Sequence, residues 1–522
     1  MADASTIPVD PGSPAPPPPA PGSTQKKAVS GAALTIASQG VGQGIRLAAS
    51  VLIARFVTSD VYGVMALVTL VNQALQMLSD VGIGQSIVQH AKGNDERFLR
   101  TAWTMQVIRS VVLTAVGIAV AYPVAAYYET QTEPRDLLFP VIVVSVCSLL
   151  ISGLTPVSMF LATRTLSVAR VTAIDIATQL TALGVSLFFA WQLKNVWALV
   201  IGNLASALCR MVLAHVLVPR VPLKPCLDPE ARRELWKFGK WVWLSTLLTF
   251  AAMNADRIML PKLLEDYALF GLFGIALSLC VVPVEVLQRI GAGILLPAYA
   301  RTRRDGKIPP EVFDRVAFVT LLAGGVAIAG VVGAGPGFIR LAYKPSFHAA
   351  AALIPWLALV AWARVLQVNA GFALLALGQA RSTALAAGAK LVALVVLIPA
   401  GFWIGREVGG LYTGLIGAIA GTALSEFARY GVFVRDASRA GLRPLGPDTA
   451  ATARVVAAGG LAFGSHIALS RADAHPALDM MAGGAVAVLV FTPWLWRAWR
   501  MVLPSLPIPA FARLASKPSA RS

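Results

Sequence analysis

The sequence predicts an all-α polytopic membrane protein with about 14 transmembrane helices, arranged as two six-helix lobes and two C-terminal helices. Three observations support this fold class: an excess of hydrophobic residues, a series of apolar segments long enough to cross a bilayer, and an alternation of basic and non-basic loops. Of the 522 residues, 57% are hydrophobic and only 13% are charged. Soluble proteins contain about 25% charged residues. The shortage of charge indicates an outer surface that faces lipid, where a charged side chain is costly.

The apolar segments are the second observation. A helix that crosses the hydrocarbon core needs about 20 mostly apolar residues, and about fourteen segments of the chain meet this requirement. Short connections between them make neighbouring helices antiparallel. The predicted limits are 30–57, 61–88, 99–127, 137–163, 170–192, 195–218, 238–260, 268–298, 312–341, 349–377, 382–404, 410–434, 449–470 and 477–499.

The basic residues supply the third observation. The chain carries 44 lysines and arginines against 26 acidic residues, a net charge of +18. Nucleic-acid binding would require these bases on one face of a soluble domain. Instead, they cluster in every second loop, and the loops between contain far fewer. This alternation follows the positive-inside rule and predicts that both termini are cytoplasmic.

The largest central loop divides the predicted helices into two groups. Before the first helix, the Pro-rich N-terminus cannot bury enough apolar surface to fold. The predicted boundaries are 1–27 for a disordered cytoplasmic tail, 28–218 for the N-terminal six-helix lobe, 219–237 for a basic cytoplasmic linker, 238–435 for the C-terminal six-helix lobe, 449–500 for two additional transmembrane helices, and 501–522 for a cytoplasmic tail.

A weak internal repeat supports the division into two lobes. LIARFVTSDVYG ends at Gly63 and MLPKLLEDYALFG ends at Gly271; both have a basic residue, an acidic turn and an aromatic-glycine pair in the same order. A Gly-x-Gly pattern follows in each half, at Gly82 and at Gly291. Two lobes related by a parallel repeat are a recurring plan of transporters, with the substrate site between the lobes. Convergence of residues at helix ends is the alternative explanation.

The same segments resemble a known family. Leu52–Gln89 is similar to the opening helices of the polysaccharide transporter (oligosaccharide flippase) family of the multidrug/oligosaccharidyl-lipid/polysaccharide exporter superfamily. Asn254–Arg301 is similar to that family's seventh and eighth helices, with a departure at Pro261 and Lys262. The resemblance implies an inverted V of two lobes around a central cavity in the bacterial inner membrane. It also implies export by alternating access of undecaprenyl-diphosphate-linked sugar repeat units, for exopolysaccharide, capsule or O-antigen.

Charged residues inside apolar segments are candidates for function, because each is costly in a membrane unless it is paired or hydrated. Bases outnumber acids among them, which suits a diphosphate head group bound by guanidinium groups. Arg46 is the first choice, since it lies in the middle of the first helix after three glycines. The predicted substrate-binding residues are Arg46, Arg257, Arg364, Lys390 and Arg289.

The acidic residues in these segments are candidates for proton or ion coupling. They are Asp80, Asp256 and Glu285. Glu285 and Arg289 are four residues apart on one helix, so a structural ion pair between them is an equal alternative. Asp256 and Arg257 project about 100° apart, so one of them can face the cavity while the other pairs between helices.

The sequence contains no set of catalytic residues, no P-loop and no metal-binding spacing of its four cysteines or five histidines. It therefore predicts a transporter without cofactor rather than an enzyme. Expected partners are the lipid-linked oligosaccharide, membrane lipids, and the polymerase or glycosyltransferases of the same polymer.

A multidrug/cation antiporter of the same superfamily and a non-transporting scaffold for envelope polysaccharide assembly are the alternative functions. A membrane glycosyltransferase would need a long loop with acidic residues, which the sequence lacks.

Overall fold

A computed structural model describes residues 40–78, 96–129, 135–159, 168–218, 250–303, 307–472 and 475–502, and this part of the chain folds into fourteen helices. Their bounds are α1 Gly40–Ile53, α2 Ser59–Leu78, α3 Glu96–Tyr127, α4 Arg135–Gly153, α5 Val168–Leu193, α6 Trp197–Leu217, α7 250–264, α8 Tyr267–Thr302, α9 Pro310–Ala342, α10 Pro345–Ala376, α11 Ala380–Gly409, α12 Leu411–Arg439, α13 Leu445–Arg471 and α14 Pro476–Val502. The first nine residues of α10 are 3-10 helical.

Eleven of these helices, α3 to α6 and α8 to α14, are long and apolar enough to cross a membrane, and α1 is a shorter apolar helix. The fourteen predicted segments correspond one to one with the fourteen helices. The prediction of an all-α polytopic membrane protein is therefore confirmed. The predicted tail 1–27 and most of the linker 219–237 lie outside the described residues, and the domain limits stay a prediction.

Helices α2 and α8 cross at two glycines that belong to the internal repeat. Gly63 is the fifth residue of α2, and Gly271 is the fifth residue of α8. A β-carbon at Gly63 would overlap the carbonyl oxygen of Tyr267, and one at Gly271 would overlap the carbonyl oxygen of Ser59. The two aromatic-glycine pairs therefore occupy matching positions, and their glycines allow the backbones of the two predicted lobes to touch.

The C-terminal helices α13 and α14 pack mainly on α9, through a face of that helix made of glycines. Gly325 lies against Val455 and Phe491, and Gly333 lies against the backbone of Gly483. Small residues let membrane helices approach closely, where dispersion contacts between them are strongest. The two additional helices are thus attached to the second predicted lobe.

Helix α8 changes its winding where the second Gly-x-Gly pattern lies. Gly291–Leu295 forms one π-helical turn, and Gly291 lies directly against the ring of Phe372. Such insertions in a helix are frequent at functional sites because they redirect the side chains that follow. The first Gly-x-Gly pattern, at Gly82, lies outside the described residues.

Candidate functional site

A cavity of about 530 Å³ lies between the helices of the two predicted lobes. Helices α1, α2 and α6 form one wall, and α7 and α8 form the other. Most of the lining is apolar. The charged side chains that line it are Arg46, Arg257 and Glu285, all of which had been predicted as site residues.

Among the described residues, the two arginines of this cavity have no ion-pair partner. Arg46 is exposed to the cavity, and Arg257 is half-buried. Within the described part of the chain, no carboxylate forms an ion pair with either guanidinium. Close packing holds the helix of Arg46 in place, since a β-carbon at Gly42 would lie only 3.1 Å from Gln179 Nε2. Two guanidiniums without a paired carboxylate, in a mostly apolar cavity, attract an anion.

Glu285 is held from the opposite wall of the cavity rather than by its own helix. Gln43 of α1 donates a hydrogen bond from Nε2 to Glu285 Oε2 at 2.6 Å. The described residues contain no ion pair between Glu285 and Arg289. Arg289 is exposed and does not line the cavity. Glu285 and Arg289 are four residues apart on α8, but the carboxylate bonds to Gln43 of α1 rather than to Arg289.

Arg364 and Lys390 belong to a separate charge cluster that is buried between α10, α11 and α12. Arg364 Nε and Lys390 Nζ each lie 2.7 Å from Glu426 Oε1. Gln367 donates to the other oxygen of Glu426 at 3.2 Å. Glu426 is 0% exposed and Lys390 is 3% exposed. Here both bases pair with one shared carboxylate, and neither side chain lines the cavity.

Asp256 lies between these two regions. It is only 5% exposed, and its Oδ1 accepts the backbone N–H of Arg257 at 2.9 Å. It is also close enough to Arg364 and Lys390 to interact with them electrostatically. Adjacent residues of α7 thus face different surroundings, Arg257 towards the cavity and Asp256 towards the buried cluster. Asp80, the remaining predicted acid, lies outside the described residues.

Beside the cavity-lining residues Ser50 and Tyr62, the helices are joined by hydrogen bonds that the sequence did not predict. Tyr62 donates to the carbonyl oxygen of Ser50 at 2.6 Å, and Tyr343 donates to Ser50 Oγ at 2.9 Å. Tyr128 donates to the carbonyl oxygen of Ile258 at 2.8 Å, and Tyr267 donates to that of Tyr128 at 2.9 Å. The aromatic-glycine pair that contains Tyr62 was the only feature of the sequence that marked this region.

These bonds are stable to changes in pH near neutrality. Burial raises the pKa of Tyr128 to about 12 and holds the pKa of Tyr343 above its usual range. Both hydroxyls therefore remain protonated donors. The bonds lie near the C-terminal ends of α1, α3, α7 and α9. The charge pattern predicts that these helix ends face the exterior.

Comparison with known proteins decides the family. A family model described as "Polysaccharide biosynthesis protein" matches residues 52–351, which is more than half of the chain. The chain belongs to this family. The match confirms the resemblance that the segments around Gly63 and Gly271 indicated. No curated protein sequence matches the chain significantly.

Solved structures show the fold of this family member. The structure is similar to that of the lipid II flippase MurJ in an inward closed conformation, with a TM-score of 0.68, 10% identity, and coverage of 90% of this chain and 99% of that one. It is also similar to an inward-facing multidrug resistance MATE transporter of the MOP superfamily, with a TM-score of 0.58, 13% identity, and coverage of 76% and 94%. A MOP superfamily transporter from Pyrococcus furiosus matches with a TM-score of 0.51, 14% identity, and coverage of 80% and 96%. The fold is therefore shared with solved transporters.

Proposed function

We propose that this protein is a flippase that translocates undecaprenyl-diphosphate-linked oligosaccharide repeat units across the bacterial inner membrane, by alternating access, for exopolysaccharide, capsule or O-antigen synthesis. Its family is one of polysaccharide biosynthesis, and its fold is shared with a lipid flippase. The observation that carries the proposal is the pair of unneutralised arginines, Arg46 and Arg257, in the cavity between the lobes.

The sign of this charge separates an anionic substrate from a cationic one. A guanidinium binds two phosphate oxygens at once and keeps its charge at all physiological pH values. The cavity contains two arginines and one carboxylate, and the carboxylate is already bonded to Gln43. A cationic drug would meet net positive charge there. A diphosphate gains two partners without displacing an existing ion pair.

The remaining predicted residues have supporting roles in this proposal. Arg364 and Lys390 act on the substrate only through Asp256, which lies beside Arg257 in the sequence and near both bases. Asp256 and Glu285 are the proposed sites of proton or ion coupling, because they connect to the buried cluster and to the opposite lobe, respectively. Arg289 would contact the substrate only after the lobes have moved.

The state described here is proposed to be open to the cytoplasm, with both termini on that side. The tyrosine bonds at Ser50 and Ile258 close the other side. A polymerase and glycosyltransferases that act on the same polymer are the proposed partners. In this arrangement the diphosphate enters from the cytoplasm, binds between Arg46 and Arg257, and leaves after the exterior contacts separate.

The test measures substrate sidedness in cells. Depletion of the protein should cause lipid-linked sugar intermediates to accumulate on the cytoplasmic face, where an impermeant reagent added to intact cells cannot reach them. Arg46→Glu should fail to restore their export although it inserts normally, because reversal of this charge repels the diphosphate. Arg406→Glu is the matched control, since it changes an exposed arginine at the far end of α11, outside the cavity, and it should restore most of the export.

Three outcomes would contradict the proposal. Unchanged levels and sidedness of the intermediates after depletion would exclude a flippase and favour a scaffold. Full export by Arg46→Glu would remove Arg46 from the substrate path. If the purified protein in liposomes moved fluorescent cationic drugs but not a diphosphate lipid, the multidrug antiporter would be the correct function.

A further inference from the structure

A second cavity lies on the outside of the helical bundle, where the two additional helices meet α9. Its volume is about 370 Å³, and it is formed by the first turns of α9, the first half of α13 and the last turns of α14. The charged residues that line it are Arg315, Arg454, Arg497 and Asp314. The mechanism proposed above uses none of them.

Two of the three arginines, Arg454 and Arg497, lie over aromatic rings. The Arg454 guanidinium lies 4.7 Å from the centre of the Trp494 ring, and that of Arg497 lies 5.7 Å from the centre of the Phe318 ring. Arg454 and Arg497 are close enough to repel each other. In the described ranges, Asp314 forms no ion pair with any of the three. The cavity is therefore a preformed site with an excess of two positive charges.

The position of this basic cavity matches the level of phospholipid head groups. Arg315 and Arg497 each lie five residues from an end of their helices, roughly 8 Å at 1.5 Å per residue. Arg454 lies nine residues after Leu445, roughly 14 Å from the start of α13. For Arg315 and Arg497 this distance matches the depth of the boundary between head groups and acyl chains in a bilayer about 40 Å thick in total, and Arg454 lies deeper. The rest of the lining is mainly apolar and includes Phe318, Ala450 and Ala451.

We propose that this cavity binds the phosphate of an anionic phospholipid, such as phosphatidylglycerol, in the leaflet that the charge pattern predicts to be cytoplasmic. Basic pockets between transmembrane helices on that side favour anionic lipids. The three guanidiniums bind the phosphate oxygens, Trp494 and Phe318 orient the guanidiniums, and one acyl chain lies along α9. The bound lipid joins α13 and α14 to the second lobe by an ionic contact in addition to the glycine packing.

The experiment measures lipid binding directly and does not depend on transport. The purified full-length protein is mixed with phosphatidylglycerol or phosphatidylcholine in detergent, and bound lipid is counted by native mass spectrometry. The protein should retain phosphatidylglycerol preferentially. The variant R454Q/R497Q should bind it roughly thirtyfold more weakly, since each surface arginine contributes about 1 kcal/mol and 1.4 kcal/mol is tenfold. R454K/R497K should keep most of the binding, which shows that the loss is one of charge.

The chain offers a matched control. Arg406 also lies over a tryptophan, 5.2 Å from the centre of the Trp403 ring, but at the far end of α11 and outside the cavity. R406Q should bind phosphatidylglycerol as tightly as the unmodified protein. Equal losses in R406Q and R454Q/R497Q would overturn the proposal and leave only general attraction to a basic protein. Equal retention of both lipids, or displacement of phosphatidylglycerol by millimolar inorganic phosphate, would also overturn it.

Discussion

The interlobe cavity and the buried cluster around Glu426 both contain basic residues from apolar helices, but these residues differ in whether a carboxylate pairs with them. In the cavity, Arg46 and Arg257 are accessible, and no carboxylate in the described part of the chain pairs with them. In the cluster, Arg364 and Lys390 share one fully buried carboxylate at 2.7 Å each. A basic residue in an apolar helix is therefore not evidence of a binding site by itself. What separates the two regions is whether a carboxylate from another helix reaches the base.

The largest expected effect is the loss of stability when Glu426 is replaced. This change would break the cluster but leave the cavity unchanged. Glu426→Gln keeps the size of the side chain but strands two buried cations, and removal of one partner from a buried ion pair costs about 3–5 kcal/mol. The variant should therefore yield little folded protein or unfold at a much lower temperature in detergent. Lys390→Met added to this variant should recover part of the loss.

Glu285→Gln is the matched control for this prediction, because Gln43 can still bond to the new amide oxygen and no buried cation is stranded. Its thermal stability should remain close to that of the unmodified protein. Equal destabilisation by both variants would mean that the cavity and the cluster do not differ in the way proposed.

The second effect concerns the cavity alone. Arg257→Gln should leave the melting temperature unchanged but weaken binding of a diphosphate lipid by tenfold or more, since a hydrogen bond to a charged group contributes about 1.5–3 kcal/mol. Binding of the lipid to purified variants in nanodiscs measures this loss. Arg435→Gln is a suitable control, because Arg435 is half-exposed near the end of α12 and bonds to Asp436 at 2.9 Å. Loss of stability in Arg257→Gln, without loss of affinity, would assign Arg257 a structural role.

The fold was predictable to the level of single helices, but the site only in part. Apolar segment length and loop charge depend on local sequence, and they located all fourteen helices within the described ranges. Arg46, Arg257 and Glu285 were identified because they are charges in apolar helices. The pairing of Arg364 and Lys390 was not predictable, because Glu426 lies 62 residues from Arg364 in the sequence. Which bases pair with Glu426 depends on how the helices cross, and no local sequence pattern shows that.

The third effect tests the contact that joins the two lobes beside the cavity. Gly271→Ala should force α2 and α8 apart, because its β-carbon would overlap the carbonyl oxygen of Ser59, and overpacking of this kind costs about 1–3 kcal/mol. A cysteine at Ser278, which lines the cavity, should then react faster with an impermeant thiol reagent added from the exterior. Gly274→Ala is the control on the same helix, since nothing lies within 4 Å of its β-carbon position. Identical rates in the two variants would show that the glycine crossing does not close the cavity.

The smallest effect distinguishes the contribution of the tyrosine hydrogen bonds at Ser50 from that of the backbone contact between α2 and α8. Tyr343→Phe removes one neutral hydrogen bond to Ser50 Oγ, worth about 1 kcal/mol, and retains the ring contact with Phe347. Because Tyr62 still bonds to the carbonyl oxygen of Ser50, exterior labelling of the cavity cysteine should rise only severalfold. The effect should be smaller than that of Gly271→Ala and constant between about pH 6 and 9, since burial keeps Tyr343 protonated there. A larger effect than that of the glycine variant would mean that the tyrosines, rather than the helix crossing, hold the exterior side shut.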